Sequence, residues 1–311
     1  SVMSASIAGD AESKKGGFCF AKGTRVQIRT ADGRITETMV EDICLGDQFA
    51  SHGGIVTAIL EMDGTEVPMY DIHGIHVSGS HLVQDPSTGE WGEVEHSAHA
   101  RPIEQRYSRL YCFNTTTHVI PIPSPHDSSR TYMFRDWEEL DESDEASHKE
   151  WVQLVYSQLN PVKKHPPNYN TACETPLFSP YTHVHTPSGW CVLANLDIGD
   201  VVLDESGNPT RVLGIVKGRV DNMESYDNTW NTAVFERDGD EWCYHASTGL
   251  SPKAGHHETG YHLITESGTL ILLDRHQGSE RYVRDFTEVG YQFIHLTYSY
   301  VAERLRSISD R

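Results

Sequence analysis

The sequence predicts an all-β protein, on three observations. Short stretches in which apolar and polar side chains alternate, such as Thr24–Arg29 and Ile55–Leu60, lie between turn signals at Asp32-Gly33 and His52-Gly53-Gly54. Alternation at period two, punctuated this way, is the pattern of half-buried strands. The second half of the 311-residue chain also repeats the first in the same order, and 311 residues is a length that suits two domains.

Residues 1–17 are small and polar, a flexible leader by composition, and the chain reads as a segment of something longer or as carrying a tag remnant. The strand texture begins at Phe18. From Asp136 to Glu145 seven of ten residues are acidic, which reads as a solvated junction. Ser147-His148-Lys149-Glu150 then forms a capping box before Trp151, Leu154, Val155 and Leu159, at helical spacing, and Pro161 ends that helix. Residues 161–175, rich in Pro, Asn and Thr, make a linker.

The repeat follows. Thr24-Arg25-Val26, Gly33, Ile43-Cys44-Leu45-Gly46-Asp47 and Val56–Ile59 recur as Thr182-His183-Val184, Gly189, Leu196–Asp200 and Val212–Ile215. Glu90-Trp91 recurs as Glu241-Trp242. Thr117–Ile122 with Phe134–Glu138 recurs as Gly268–Leu273 with Val283–Glu288, and a second helix carries Ile294, Tyr298, Val301, Leu305 and Ile308 on one face. The expected organisation is a leader (1–18), a first β unit with its helix (19–160), a linker (161–175) and a second β unit with a terminal helix (176–311).

Composition narrows the function. Forty-five Asp and Glu against 25 Lys and Arg give a formal charge of −20, so nucleic-acid binding lacks the cationic surface that releases counterions from phosphates. An anionic membrane surface would repel the chain as well, and no apolar run approaches the roughly 18 residues of a membrane-spanning helix. Six scattered cysteines, without a Cys-x-x-Cys pair, suit neither a disulfide framework nor a zinc site. As a class they read as buried apolar thiols. His183 with His185, or His256 with His257, supplies two metal ligands but no third, and no cofactor is implied.

The most specific string is Cys19-Phe20-Ala21-Lys22-Gly23-Thr24-Arg25-Val26, followed by Gly46-Asp47, Met62-Asp63 and Ser78-Gly79-Ser80-His81-Leu82-Val83. In this order the string resembles the Hint superfamily, the self-processing domains of Hedgehog proteins and inteins, and most of all the Vint branch attached to von Willebrand A domains. The resemblance covers roughly residues 19–138. It extends to residues 176–289 in the scaffold only. It implies a horseshoe of short strands, doubled here, and a cysteine that acts on its own chain once per molecule.

The chemistry has an independent logic. The sulfur of Cys19 reaches the Phe18 carbonyl carbon through a five-membered ring, so an N-to-S acyl shift has its proximity built in covalently. The resemblance places the Thr-x-x-His motif on Ser78 and His81, the first hydrogen-bonding the scissile carbonyl and the second protonating the leaving nitrogen. It also places on Asp63 the aspartate that acts on the thiol or the second nucleophile, and such a carboxyl needs a raised pKa or a place beside the cysteine. His73 and His76 compete for the role of His81, and Met62-Asp63-Gly64 is also an ordinary turn.

Several residues depart from the family pattern. Ser78 stands where the family usually has Thr, and Phe18 stands where Hedgehog proteins have Gly. No His-Asn pair precedes a downstream nucleophile; Asn170-Thr171 lies in the linker. Full splicing is therefore not expected, and cleavage or transfer of the upstream polypeptide to water, an amine or a thiol remains. Leu177 replaces the nucleophile in the second unit, which leaves it a degenerate scaffold or a partner surface. The rival reading is a catalytically inert Hint-derived binding or structural module.

Overall fold

The structure, a computed structural model, describes residues 19–127, 129–137, 177–220, 233–239, 241–246, 258–275 and 277–286. The leader with Phe18, the linker and both expected helices lie outside the described residues. Strands dominate what is described, and no helix there is long and apolar enough to cross a membrane. In chain order the first thirteen are β1 (Phe20–Ala21), β2 (Arg25–Arg29), β3 (Ile35–Met39), β4 (Gln48–Phe49), β5 (Val56–Asp63), β6 (Met69–Ile72), β7 (Ile75–Ser78), β8 (Leu82–Gln84), β9 (Trp91–Glu93), β10 (Ala100–Ile103), β11 (Arg109–Thr115), β12 (Val119–Pro123) and β13 (Thr131–Arg135). The rest are β14 (His183–Thr186), β15 (Gly189–Val192), β16 (Val201–Leu203), β17 (Pro209–Val220), β18 (Ala233–Asp238), β19 (Glu241–Ala246), β20 (Glu258–Thr265), β21 (Thr269–Asp274) and β22 (Ser279–Arg284).

A nine-stranded sheet runs β10-β6-β7-β1-β11-β5-β17-β16, with β20 also paired to β17. Around it lie β3-β2-β4, β12-β13-β8-β9 and β15-β14-β21-β22-β18-β19. The central sheet crosses from the first half of the chain to the second where β5 meets β17. There Leu60 lies opposite Val216, Met62 opposite Gly214 and Ala58 opposite Gly218. A side chain at Gly214 would collide with Met62 and one at Gly218 with Leu177, so the two glycines permit this close crossing.

One row of residues runs straight across the sheet. Cys112 faces Leu60, Leu60 faces Val216, and Val216 faces His262. At its ends Phe20 pairs with Tyr111 and Phe178 with Tyr261.

The same backbone bonds recur at the positions the sequence repeats. Gly46 N–H donates to Val56 O and Gly199 N–H to Val212 O, each at 2.9 Å. The Cys44 amide donates to Asp47 Oδ2 at 2.8 Å and the Asp197 amide to Asp200 Oδ2 at 2.7 Å, which accounts for both Gly-Asp pairs as turn residues. Further on, Thr115 N–H donates to Asp136 Oδ2 and Thr265 N–H to Asp285 Oδ2.

Two expectations need correction. Asp136 opens the acidic run but is buried, accepting from Thr115 N–H and facing the His118 ring, so the solvated reading fails at that residue. The repeat also slips by one residue in β12 and β21. Asp136 N–H donates to His118 O and Asp285 N–H to Gly268 O, and both acceptor residues have positive φ, so Gly268 matches His118 rather than Thr117. Ile120–Ile122 and Leu270–Leu272 are buried on both faces, which removes the period-two signal that would fix register.

Three apolar cores form among the described residues. One lies within the first half, around Phe20, Phe113 and Phe134, and one within the second, around Phe178, Val184 and Leu272. The third joins the halves. It gathers Cys19, Leu60 and Cys112 with Leu177, Val216 and Ile264, and Trp137 meets Phe286 across it at 4.6 Å between ring centroids.

Candidate active site

Cys19 sits in that joint core, just before β1, and is almost fully buried. Its backbone is tied to β7. Ser78 N–H donates to Cys19 O at 3.0 Å, and Cys19 N–H donates to Ser78 Oγ at 2.9 Å. In an ordinary antiparallel pair both bonds would be backbone to backbone. Here the Ser78 carbonyl instead accepts from His81 N–H at 3.3 Å, and the hydroxyl takes its place.

The turn that causes this is built from local sequence and occurs three times. Thr24 N–H donates to Ala21 O while Val40 N–H donates to Thr24 O; His81 and Val94 repeat the pair on Ser78 and His81; Thr182 and Leu193 repeat it on Ser179 and Thr182. Each turn leads into a hairpin that ends in a 3-10 turn at Val40–Asp42, Val94–His96 or Leu193–Asn195. His81 thus occupies the place that threonines hold in the other two turns.

The His81 ring is fully buried, tilted against Phe20 at 4.7 Å and edge-on to Phe134 at 5.4 Å. Its Nε2 lies 2.8 Å from Arg135 O, and a carbonyl only accepts, so the proton sits on Nε2. The Arg135 guanidinium stacks 4.1 Å from the Trp91 ring centroid, which helps fix that segment. Nδ1 is left as a buried lone pair with no hydrogen-bond partner among the described residues. Burial lowers the ring's pKa to about 4, partly offset by the Arg135 carbonyl, so His81 is neutral at pH 7.

Cys112 is a site residue that sequence reasoning missed. It lies opposite Cys19, because Phe20 pairs with Tyr111 and Ala21 with Leu110. Burial first, and then the neighbouring Cys19 thiol, pushes the Cys112 thiol well above its ordinary value. Only the long-range pairing of β1 with β11 brings the two thiols together, and nothing local announces it. In the second half Leu177 and His262 stand at the corresponding places beside Phe178 and Tyr261.

Asp63 lies elsewhere. It ends β5 opposite Arg109, three positions along from Leu60. Two strand spacings across and three residues along put it about 14 Å from Cys19. Its Oδ1 accepts from the Thr65 amide at 3.0 Å and from the Thr65 hydroxyl at 2.6 Å, and Arg211 is 3.4 Å from Oδ2. Partial burial acts to raise its pKa, but the Thr65 bonds and the Arg211 and Arg109 charges outweigh it and hold the carboxyl below its ordinary value. Neither condition expected of an assisting aspartate is met, because this carboxylate closes a turn.

The rival histidines are engaged. His73 stacks on Tyr132 at 5.5 Å, and His76 Nδ1 is hydrogen-bonded to the Tyr107 hydroxyl. His185 stacks on Trp190 and lies 3.2 Å from Glu280, while His256 and His257 are outside the described residues. Among the described residues Glu93, Glu95 and His96 could converge on a cation, but this is an exposed acidic turn in which Glu93 already pairs with His96.

No family model matches the chain, and no curated protein matches it either.

Proposed function

We propose that the chain is a duplicated, Hint-like self-processing domain in which Cys19 attacks the Phe18 carbonyl carbon and releases the upstream polypeptide without splicing. One observation carries the reading: the amide nitrogen that must leave, that of Cys19, is held by the Ser78 hydroxyl. The resemblance implies a hydroxyl on the scissile carbonyl, whereas Ser78 Oγ accepts from the amide nitrogen.

In the first step the carbon–sulfur bond forms, the carbon–nitrogen bond breaks, and the thiol proton passes to the nitrogen. His81 packs on Phe20, on the face opposite the Cys19 side chain, so its part is played at the leaving nitrogen and not at the thiol: an imidazolium with a pKa near 4 gives up a proton readily. Ser78 both accepts from the amide N–H and carries a proton of its own, so it serves at either stage. Water, an amine or another thiol then attacks the thioester carbonyl and restores the Cys19 thiol. Asp63, whose carboxylate is taken up by the Thr65 amide and hydroxyl, has no part in this step.

The recurring hydrogen bonds and the Leu60–Val216 crossing support duplication, with the second unit acting as a partner surface. Leu177, Val216 and Ile264 seal the core that holds the thiol.

A second reading has its own observation. Cys19 and His81 are both buried among apolar side chains, as Leu177 is in the second half, and this fits an inert binding or structural module that keeps the ancestral packing. Incubation with hydroxylamine separates the two. Loss of the leader's mass from the wild-type chain, but not from Cys19→Ala, supports processing. Unchanged mass in both over days supports the inert module.

A further inference from the structure

We propose that Cys19 and Cys112 form a cross-strand disulfide under oxidising conditions, a modification site that takes the nucleophile out of use. The consequence for processing rests on the function proposed above, whereas the disulfide itself does not.

Both backbone groups of Cys19 bond to Ser78, on the side away from β11. Cys19 and Cys112 therefore make a non-hydrogen-bonded antiparallel pair, the kind in which opposite Cα atoms lie about 4.5 Å apart and the side chains are closest. A disulfide requires a Cα separation of about 4.4–6.8 Å, so this pair lies within reach without rearrangement of the strands. Opposite residues in a ladder also point to the same face, and both cysteines belong to the same apolar core. Both are free, buried thiols, and among the described residues Cys112 Sγ has no closer acceptor than Phe113 O at 3.9 Å.

Other cysteines with described side chains lack such a partner: Cys44 is exposed, and Cys191 points its thiol at Val192 O, 3.6 Å away. In the second half Leu177 and His262 replace the pair, so that unit has no equivalent bond.

The oxidant is a small-molecule disulfide. A thiolate of the pair attacks one of its sulfurs and expels one thiol, giving a mixed disulfide. The neighbouring protein thiol then displaces the second, so two protein thiols are oxidised as one disulfide is reduced to two thiols. Because the pair is buried, the first attack waits on local opening of the two-residue strand β1. Once oxidised, Cys19 has no thiol with which to attack Phe18.

The test treats the full chain with oxidised glutathione, then reads intact mass and the non-reducing peptide map. The expected result is loss of two hydrogens per chain and a cross-linked peptide pair containing Cys19 and Cys112, absent from both Cys112→Ala and Cys112→Val. Hydroxylamine-induced leader release should fall at least tenfold on oxidation. It should return with a phosphine, which opens disulfides but does not cleave thioesters, and in the Cys112 variants any oxidised Cys19 should carry a glutathione adduct and no internal bond. Free thiols at both positions while Cys44 becomes modified would overturn the proposal. A mapped Cys19–Cys112 bond in a chain that never releases its leader would uphold the disulfide and sink the processing reading alone.

Discussion

Replacing Ser78 by Ala removes a single oxygen and tests the site at its narrowest point. Ser78 Oγ is the acceptor for Cys19 N–H, and both residues are about 1% exposed, so water cannot take over the bond without local opening. An unsatisfied buried donor costs about 1–3 kcal/mol. At roughly 2–4 °C per kcal/mol for a domain of this size, a 2 kcal/mol loss lowers the melting temperature by about 4–8 °C. The Ser78 N–H to Cys19 O bond is backbone only and survives, so the strand stays paired while its amide loosens. Two assays report this: thermal unfolding followed by circular dichroism, and hydrogen exchange at the Cys19 amide, whose protection should fall. Leader release should slow about tenfold or more, the value of one orienting hydrogen bond. Unchanged melting together with unchanged Cys19 exchange would refute the reasoning, because the amide would then have another partner.

Burial lowers the pKa of His81 to about 4 and that of His262 to about 3. The unfolded chain therefore binds protons that the native one does not, and stability is full above about pH 6.5 and falls towards pH 4; for His81 alone the loss is about 3 kcal/mol. Urea midpoints across that range should show the slope, and His262→Leu should flatten it; a slope unchanged in that variant would contradict the assignment. Arg109 bridges Glu61 at 2.9 Å and Asp197 at 2.8 Å, linking β5 to the second half, so Arg109→Met should cost about 1–3 kcal/mol, against less than about 1 for Arg101→Met on the exposed side of Asp71. Equal midpoints for the two variants would count against that bridge. Asp63→Asn should change leader release by less than twofold, and a hundredfold loss would return Asp63 to the chemistry.

The all-β class was legible because alternation and turn residues are local signals, and strands such as Arg25–Arg29 and Ile35–Met39 carry them plainly. At the repeated positions matching backbone bonds recur, as from Gly46 to Val56 O and from Gly199 to Val212 O, while strands buried on both faces hid the register of β12 and β21. Cys19, Ser78 and His81 stood out as a string, and β1, β7 and the turn after it do bring Cys19 and Ser78 into contact. What was hidden depends on pairings distant in sequence. Cys112 meets Cys19 only through β1 against β11, and Asp136 is buried where Thr115 N–H and His118, about twenty residues back, meet its carboxylate. At Met62-Asp63-Gly64 a turn and an acid catalyst look alike in a sequence, and the Thr65 hydroxyl two residues on is the detail that marks the turn.

The central claim is that the bond between Phe18 and Cys19 passes through a thioester. Its most direct measurement is the mass of the fragment released by hydroxylamine. The account predicts a peptide of residues 1–18 carrying a hydroxamate at Phe18, produced by the wild-type chain and absent from Cys19→Ala. A wild-type chain that stays intact, or a fragment ending anywhere other than Phe18, would contradict it.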